Sequence, residues 1–359
     1  MSLNNRIQAF ASLGELLLEV GKNKEKKLFQ YEILNKLEKT VVEAVHHNGW
    51  FIEDNVRYML TSLGKSLTYA NINDWVEPYK QNLLYTATPK TIGVVMAGNI
   101  PIVGFHDFLC VLISGNKIKA KLSADDNKLL PIIAELLINI EPGFKESISF
   151  TVDQLKDFDA IIATGSNNTS RYFDYYFGGY PNIIRKNRAG IAVLTGDETD
   201  NDMHNFTEDI FMYYGLGCRN VSHIMVPQGY NFTPFLDACS SNSKVNIHNK
   251  YFNNYEYNKA IYLVNRTQHY DSGNMLLTEN SSFSSPVSVL HFQHYTNIEL
   301  VNQQLQLNDH KIQCVVSISK DIKESISPGT SQQPQLWDYA DGVDTMNFLI
   351  KKLGYNYER

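Results

Sequence analysis

Apolar residues recur at helical spacing through the first part of the chain. Ile7, Phe10, Leu13, Leu17 and Val20 fall on one face, and Leu34, Leu37, Val41 and Val42 continue the pattern. This predicts helices over residues 1 to about 85, with Trp50, Tyr58 and Trp75 as packing residues. The texture changes near Lys90. Thr91-Ile92-Gly93-Val94-Val95-Met96-Ala97 is a β-branched apolar run that stops at Gly98, which predicts a buried parallel strand. Further strands are expected over residues 117–122, 148–152 and 160–163, alternating with helices over 102–113, 127–138 and 169–177. A second stretch of the same kind runs from 189 to about 319. It has strands at 190–194, 221–226, 287–292 and 312–318, and a helix over 203–214. Residues 341–349 read as a capped terminal helix after a loop. Strands alternating with helices of about a dozen residues argue for an α/β chain built on a doubly wound, mostly parallel sheet.

Composition narrows the function. A length of 359 residues supports two or three domains with a large core. The formal net charge of -6 disfavours a broad nucleic-acid surface. The four cysteines, Cys110, Cys218, Cys239 and Cys314, are far apart, with no Cys/His metal spacing between them. No metal site and no disulfide scaffold are expected, and thiols in a reducing cytoplasm fit best. The opening residues do not form a secretory signal, and the longest apolar run, residues 100–115, is broken by His106 and Asp107.

The most pointed chemistry lies at Gly215-Leu216-Gly217-Cys218-Arg219-Asn220, directly before a predicted strand. A Gly-rich approach and a polar exit suit a thiol presented to a cleft. The competing reading is a small buried residue in a turn. Gly98-Asn99-Ile100-Pro101 follows the first strand, at the edge where open α/β sheets bind ligands. Asn99 is either an amide donor for an oxyanion or a turn residue. Lys121 and Ser123 end the next strand and suit a ribose or phosphate, or else a solvated helix start, with Asp125 and Asp126 as acids at that start. Thr164-Gly165-Ser166 opens a helix whose amides can hold a diphosphate, although no G-x-G-x-x-G is present. Arg185-Lys186-Asn187-Arg188 gathers three cations that suit phosphates or a solvated run. His106 and His223 are the histidines nearest these motifs, each either a proton carrier or a structural group.

In this order the motifs resemble the aldehyde dehydrogenase superfamily, and more closely its acyl-CoA reductase branch, related to the enzyme that supplies aldehyde for bacterial bioluminescence. The branch-like residues are Gly98 through Asp107, Ile184 through Arg188, and Asp338 through Met346. The resemblance covers about residue 88 to the end. It implies a helical region over 1–85, a nucleotide-binding domain over 86–188, a catalytic thiol domain over 189–325, and a segment over 326–359 that returns to the nucleotide-binding domain. It implies Cys218 as nucleophile and Asn99 as oxyanion amide. Lys121, Ser123, Thr164, Gly165 and Ser166 are then the residues near the cofactor. The implied reaction is reduction of an acyl-CoA, a fatty one by preference, to an aldehyde through a cysteine thioester. NADPH is the preferred donor, NADH is possible, and coenzyme A leaves. Short-chain acylating dehydrogenation and cysteine acyl transfer are the alternatives. A homo-oligomer and an acyl-supplying partner enzyme are expected by analogy. Two departures stand out. The family's Glu-Leu-Gly-Gly-Lys segment appears as residues 185–190, with no carboxylate at its start. Its Glu-Ile-Phe-Gly-Pro-Val appears as Ser282-Phe283-Ser284-Ser285-Pro286-Val287, without the Glu.

Overall fold

The computed structural model describes residues 1–25, 28–84 and 88–352. The chain divides into two compact units, one of residues 1–186 with 335–359 and one of residues 187–334.

The first unit begins with α1 (Leu3–Lys22), α2 (Glu32–His47), α3 (Glu53–Ser66), α4 (Tyr69–Val76) and α5 (Lys80–Leu84). Ser2 caps α1 by accepting the Asn5 N–H. The apolar face Ile7, Phe10, Leu13, Leu17 and Val20 is buried. Arg57 of α3 ties three helices together. It donates to the Val20 carbonyl of α1 at 2.8 Å and pairs with Glu38 of α2 and Glu53 of α3. A buried guanidinium is tolerated there because both carboxylates and a carbonyl satisfy it.

Next come β1 (Thr91–Val95), α6 (Phe105–Ile113), β2 (Lys117–Lys121), α7 (Leu129–Ile140), β3 (Ile148–Thr151), β4 (Ala160–Thr164), α8 (Asn167–Phe177) and β5 (Asn182–Arg185). The strands form a parallel sheet in the order β3-β2-β1-β4-β5. The chain winds outward from β1 in one direction to β3 and then returns past β1 to β4. The carboxyl ends of β1 and β4 are therefore the topological switch point.

The second unit contains β6 (Ala189–Val193), α9 (Asp200–Phe211), β7 (Val221–Pro227), α10 (Thr233–Ser241), α11 (Asn249–Asn265), β8 (Tyr270–Asp271), β9 (Leu276–Glu279), β10 (Val289–Tyr295), α12 (Ile298–Leu307), β11 (Ile312–Val316) and β12 (Ser325–Ile326). Its sheet runs β12-β11-β6-β7-β10-β9-β8, parallel except for β8 against β9. The short α13 (Thr345–Asn347), capped by Asp344, belongs to the first unit. None of the helices among the described residues is long and apolar enough to cross a membrane.

Two expected helices differ at their ends. The helix expected from residue 102 starts at Phe105, because Ile102 sits in the left-handed region at φ 55°. The helix expected over 203–214 spans Asp200–Phe211 and stops where Tyr213 and Tyr214 turn left-handed.

Candidate active site

The thiol loop is built from the end of α9. A capping box of Thr199 and Asp202 starts this helix, and Met203, Phe206, Ile210 and Phe211 bury its inner face. Tyr213, Tyr214 and Gly215 then follow at φ 52°, 59° and 75°. Left-handed backbone costs a non-glycine residue about 1–2 kcal/mol, so something must hold the two tyrosines there. Both side chains are buried, and Tyr214 stacks on His248 with ring centroids 4.0 Å apart.

Asn220 is the main brace. Its amide donates to the carbonyls of Asp209 at 3.0 Å and Met212 at 2.8 Å, satisfying backbone groups that the helix end leaves open. Its Oδ1 accepts the Gly217 N–H at 2.8 Å, and its own N–H donates to the Gly217 carbonyl at 3.0 Å. Cys218 and Arg219 are thus held in a turn closed on Gly217 by both the side chain and the backbone of one buried residue. A second clamp comes from residues 329–331. The buried Asp209 carboxylate accepts the N–H groups of Gly329 at 2.7 Å and Ser331 at 3.0 Å, and Arg219 Nε donates to the Ser331 carbonyl at 2.6 Å. Gly190 lets β6 pass underneath: a Cβ there would lie 2.5 Å from the Asn220 carbonyl oxygen. Cys218 is exposed, whereas Cys110 and Cys239 are buried and Cys314 is half-buried. Burial pushes the Cys110 and Cys239 thiols up, which keeps them protonated and unreactive. From sequence, Asn220 is only part of a polar flank. An Asn between a glycine turn and a strand is the signal that could have marked it as the brace.

The other predicted residues lie in the first unit, at the carboxyl edge of its sheet. Asn99 is exposed on the loop after β1, Lys121 ends β2, and Thr164 ends β4. The loops after β1 and β2 meet closely, since a Cβ on Gly98 would lie 2.6 Å from Ser123 Oγ. The Met96 N–H donates to the Lys121 carbonyl at 3.0 Å, and Ser123 Oγ accepts the Asp125 N–H. Asp126 is buried and lies before α7, so it is not an acid of the helix start. Its carboxylate accepts the Ile102 N–H at 2.6 Å and so pins the Asn99 loop. Burial pushes its pKa up to about 7, against the pull of that hydrogen bond. Ser166 caps α8 by accepting the Thr169 N–H, and the Gly165 N–H reaches the Arg185 carbonyl at 3.4 Å. Exposed loop ends around a switch point, with a lysine, hydroxyls and a helix start, fit the ribose and phosphates of a nicotinamide dinucleotide.

The cation cluster is not free to meet a phosphate as a group. Arg185 is buried, paired to Asp107 of α6 and bonded to the Thr345 hydroxyl at 2.9 Å. Arg188 donates to the carbonyls of Asp309 and Ile312, and only Lys186 is exposed. Arg185 joins a wider polar network that gathers the branch-like segments in the first unit. His106 bonds the Leu336 carbonyl at 2.8 Å, Trp75 donates to Tyr339 at 2.8 Å, and Tyr79 donates to Asp344 at 2.8 Å.

Neither histidine is placed as a proton carrier. Burial pulls the His106 pKa down, and the ring is held on a backbone carbonyl. His223 and His291 both meet the Ser282 carbonyl through Nδ1, at 3.0 and 2.8 Å. A carbonyl only accepts, so each Nδ1 carries a proton, and burial of both rings disfavours a second proton on Nε2. Burial pushes the His223 pKa down to about 4. This pair pins Ser282, at the start of the stretch where the family resemblance lacks its Glu. The fold therefore favours neutral His223. Its contribution is fully present above about pH 6.5 and is lost as pH falls toward 4, amounting to about 3 kcal/mol. His223→Phe should flatten that part of the pH dependence, read by denaturant unfolding at pH 7 and pH 5. An unchanged slope would show that His223 does not carry it.

No group of three His, Cys, Asp or Glu side chains among the described residues is placed to hold a metal. No known family profile matches the chain, and no curated protein sequence does. Solved structures do. Aldehyde dehydrogenase 21 from Physcomitrella patens, in complex with succinate, matches with TM-score 0.66 at 11% identity, covering 98% of this chain and 85% of that one. An NAD-dependent aldehyde dehydrogenase from Sinorhizobium meliloti matches with TM-score 0.60 at 10% identity, over 91% and 74%. A cysteine-to-alanine variant of the P. syringae indole-3-acetaldehyde dehydrogenase AldA, in complex with NAD+ and IAA, matches with TM-score 0.59 at 12% identity, over 90% and 77%. With its parallel five-stranded sheet, its mixed seven-stranded sheet and its N-terminal helices, the chain has the aldehyde dehydrogenase fold.

Proposed function

We infer that the protein reduces an acyl-CoA, a fatty one by preference, to an aldehyde, with Cys218 as the nucleophile. The observation that carries this reading is an exposed thiol in a turn braced on both sides by buried groups. A braced turn fixes a nucleophile in place before the substrate arrives. The Cys218 sulfur attacks the thioester carbonyl carbon, the C–S bond to coenzyme A breaks, and the acyl group stays on the enzyme. Asn99 takes the part of the amide that stabilises the oxyanion, alongside the Cys218 N–H. Lys121 and Ser123 take the ribose side of the cofactor, and Thr164, Gly165 and Ser166 its phosphate side. When bound, the reduced nicotinamide supplies the hydride that turns the thioester carbon into the aldehyde and releases the thiol. NADPH is the preferred donor.

The stretch over 185–190 supports reduction over hydrolysis. Where the resemblance would place the water-activating Glu, the chain has Arg185, buried and paired with Asp107. The carboxylate there, Asp107, is buried in the ion pair rather than free to activate water, so the acyl-enzyme can persist until hydride arrives. The test is a paired assay of the purified protein with long-chain acyl-CoA and NADPH. Equal loss of NADPH and release of coenzyme A is expected. Release of coenzyme A without NADPH loss would sink the reductase reading in favour of acyl transfer or hydrolysis.

A further inference from the structure

Arg6 lies in the first turns of α1 and is only 5% exposed. Its Nε has no hydrogen-bond partner, and its guanidinium makes no ion pair with a described residue. This contrasts with Arg57 and Arg185, the other buried arginines of this unit, which both have carboxylates against them. Burial alone acts on Arg6 and pulls its pKa down to about 10, so it stays charged at neutral pH. A desolvated cation with no counter-charge is costly, and proteins rarely leave one unanswered.

Arg6 borders a cavity of about 270 Å³, lined also by Pro89, Leu112, Asn116, Phe144 and Ser147. These residues locate it. Pro89 precedes β1, Asn116 precedes β2 and Ser147 precedes β3, so the cavity lies at the amino ends of three neighbouring strands. The proposed nucleotide residues lie at the opposite, carboxyl ends, about 16 Å away along a five-residue strand. Asn116 is already engaged with the Lys90 N–H and Ser114. Ser147 lies half-buried at the rim and brings a hydroxyl. The volume lies just below the lower end of the roughly 300–1,000 Å³ of drug-sized sites, which suits a small ligand.

We propose that this cavity is a binding site for a small oxyanion, either phosphate or a short carboxylate, held by the Arg6 fork with Ser147 as a second donor. The planar guanidinium meets two oxygens of such a group at once. Pro89, Leu112 and Phe144 supply the apolar part of the lining, beside which a short aliphatic tail on a carboxylate can lie. Occupancy supplies the missing counter-charge and stabilises the first unit.

The test is thermal unfolding of the full chain in chloride buffer at constant ionic strength, titrated with sodium phosphate or with sodium butyrate. A saturable rise of a few degrees with at least one of them is expected, by linkage to the folded state. A response to phosphate alone identifies the ligand class as phosphate, and a response to butyrate alone as carboxylate. Arg6→Met should lose the response. Ser147→Ala, which keeps the charge, should weaken it about tenfold, as for one hydrogen bond to a charged group. Cys218→Ala should respond as wild type, so failure of the reductase reading and failure of this site are distinguishable. Absence of a saturable response to either anion, or an undiminished response in Arg6→Met, would overturn the proposal. Should Arg6→Met not fold, the Ser147→Ala titration and line broadening of the phosphate signal on the wild-type chain decide it.

Discussion

Replacement of Cys218 by Ala is expected to lower aldehyde formation by about four orders of magnitude or more, while leaving stability within about 0.5 kcal/mol of wild type. The two halves of this expectation have separate causes. The reaction as proposed forms a covalent thioester at Cys218, and no other exposed thiol replaces it: Cys110 and Cys239 are buried and protonated, and Cys314 sits half-buried, bonded to the Arg219 carbonyl at 3.6 Å. The bonds that close the turn run through other groups. Asn220, Asp209 and the Ser331 backbone hold it, and none of those bonds uses Cys218 Sγ. Removing an exposed sulfur leaves no cavity. Steady-state assays beside denaturant unfolding test both halves. Wild-type turnover in the variant would remove Cys218 from the mechanism. Collapse of stability with activity would mean that the thiol has a structural role instead.

Replacement of Arg185 by Met should cost about 3–5 kcal/mol, because it leaves the Asp107 carboxylate buried without its counter-charge. Burial works against the charge on Arg185, and Asp107 outweighs it, so the guanidinium is held above its ordinary pKa. The loss should extend beyond the pair. Arg185 also donates to the Thr345 hydroxyl, so α6, β5 and α13 meet on one side chain. Adding Asp107→Leu to Arg185→Met should recover much of the stability, since no buried charge then remains. Unfolding of both single variants and the double variant gives the coupling directly. A double variant as unstable as the sum of the singles would mean that the pair is not coupled, and that the cost lies in lost packing.

How much of this was legible in the sequence can be argued from particular elements. The strands β1, β4 and β6 were readable because a parallel strand covered on both faces must be mostly apolar along its length, and Val, Ile and Ala supply that. The strand β5 was not, because it ends in Arg185, whose charge is answered only by a residue 78 positions away. The helix α11 escaped for a related reason. Its buried face is Tyr251, Tyr255 and Asn258, and periodicity shows poorly when the inward residues carry polar groups. The stop of α9 was equally hidden. Tyr213 and Tyr214 have no local preference for left-handed backbone, and the bonds that hold the turn come from Asn220 and from packing.

The sequence by itself determined the α/β class, the helical N-terminal region and the positions of the candidate thiol and loop residues, because spacing and residue type are local properties. Only the tertiary structure decided which charges are available for chemistry. It placed Arg185 in a buried pair, His223 on a carbonyl, Asp126 under the Asn99 loop and Arg6 beside a cavity with no counter-charge among the described residues. A side chain's charge does its work through desolvation and through the partner that faces it, and both are set by residues distant in the chain.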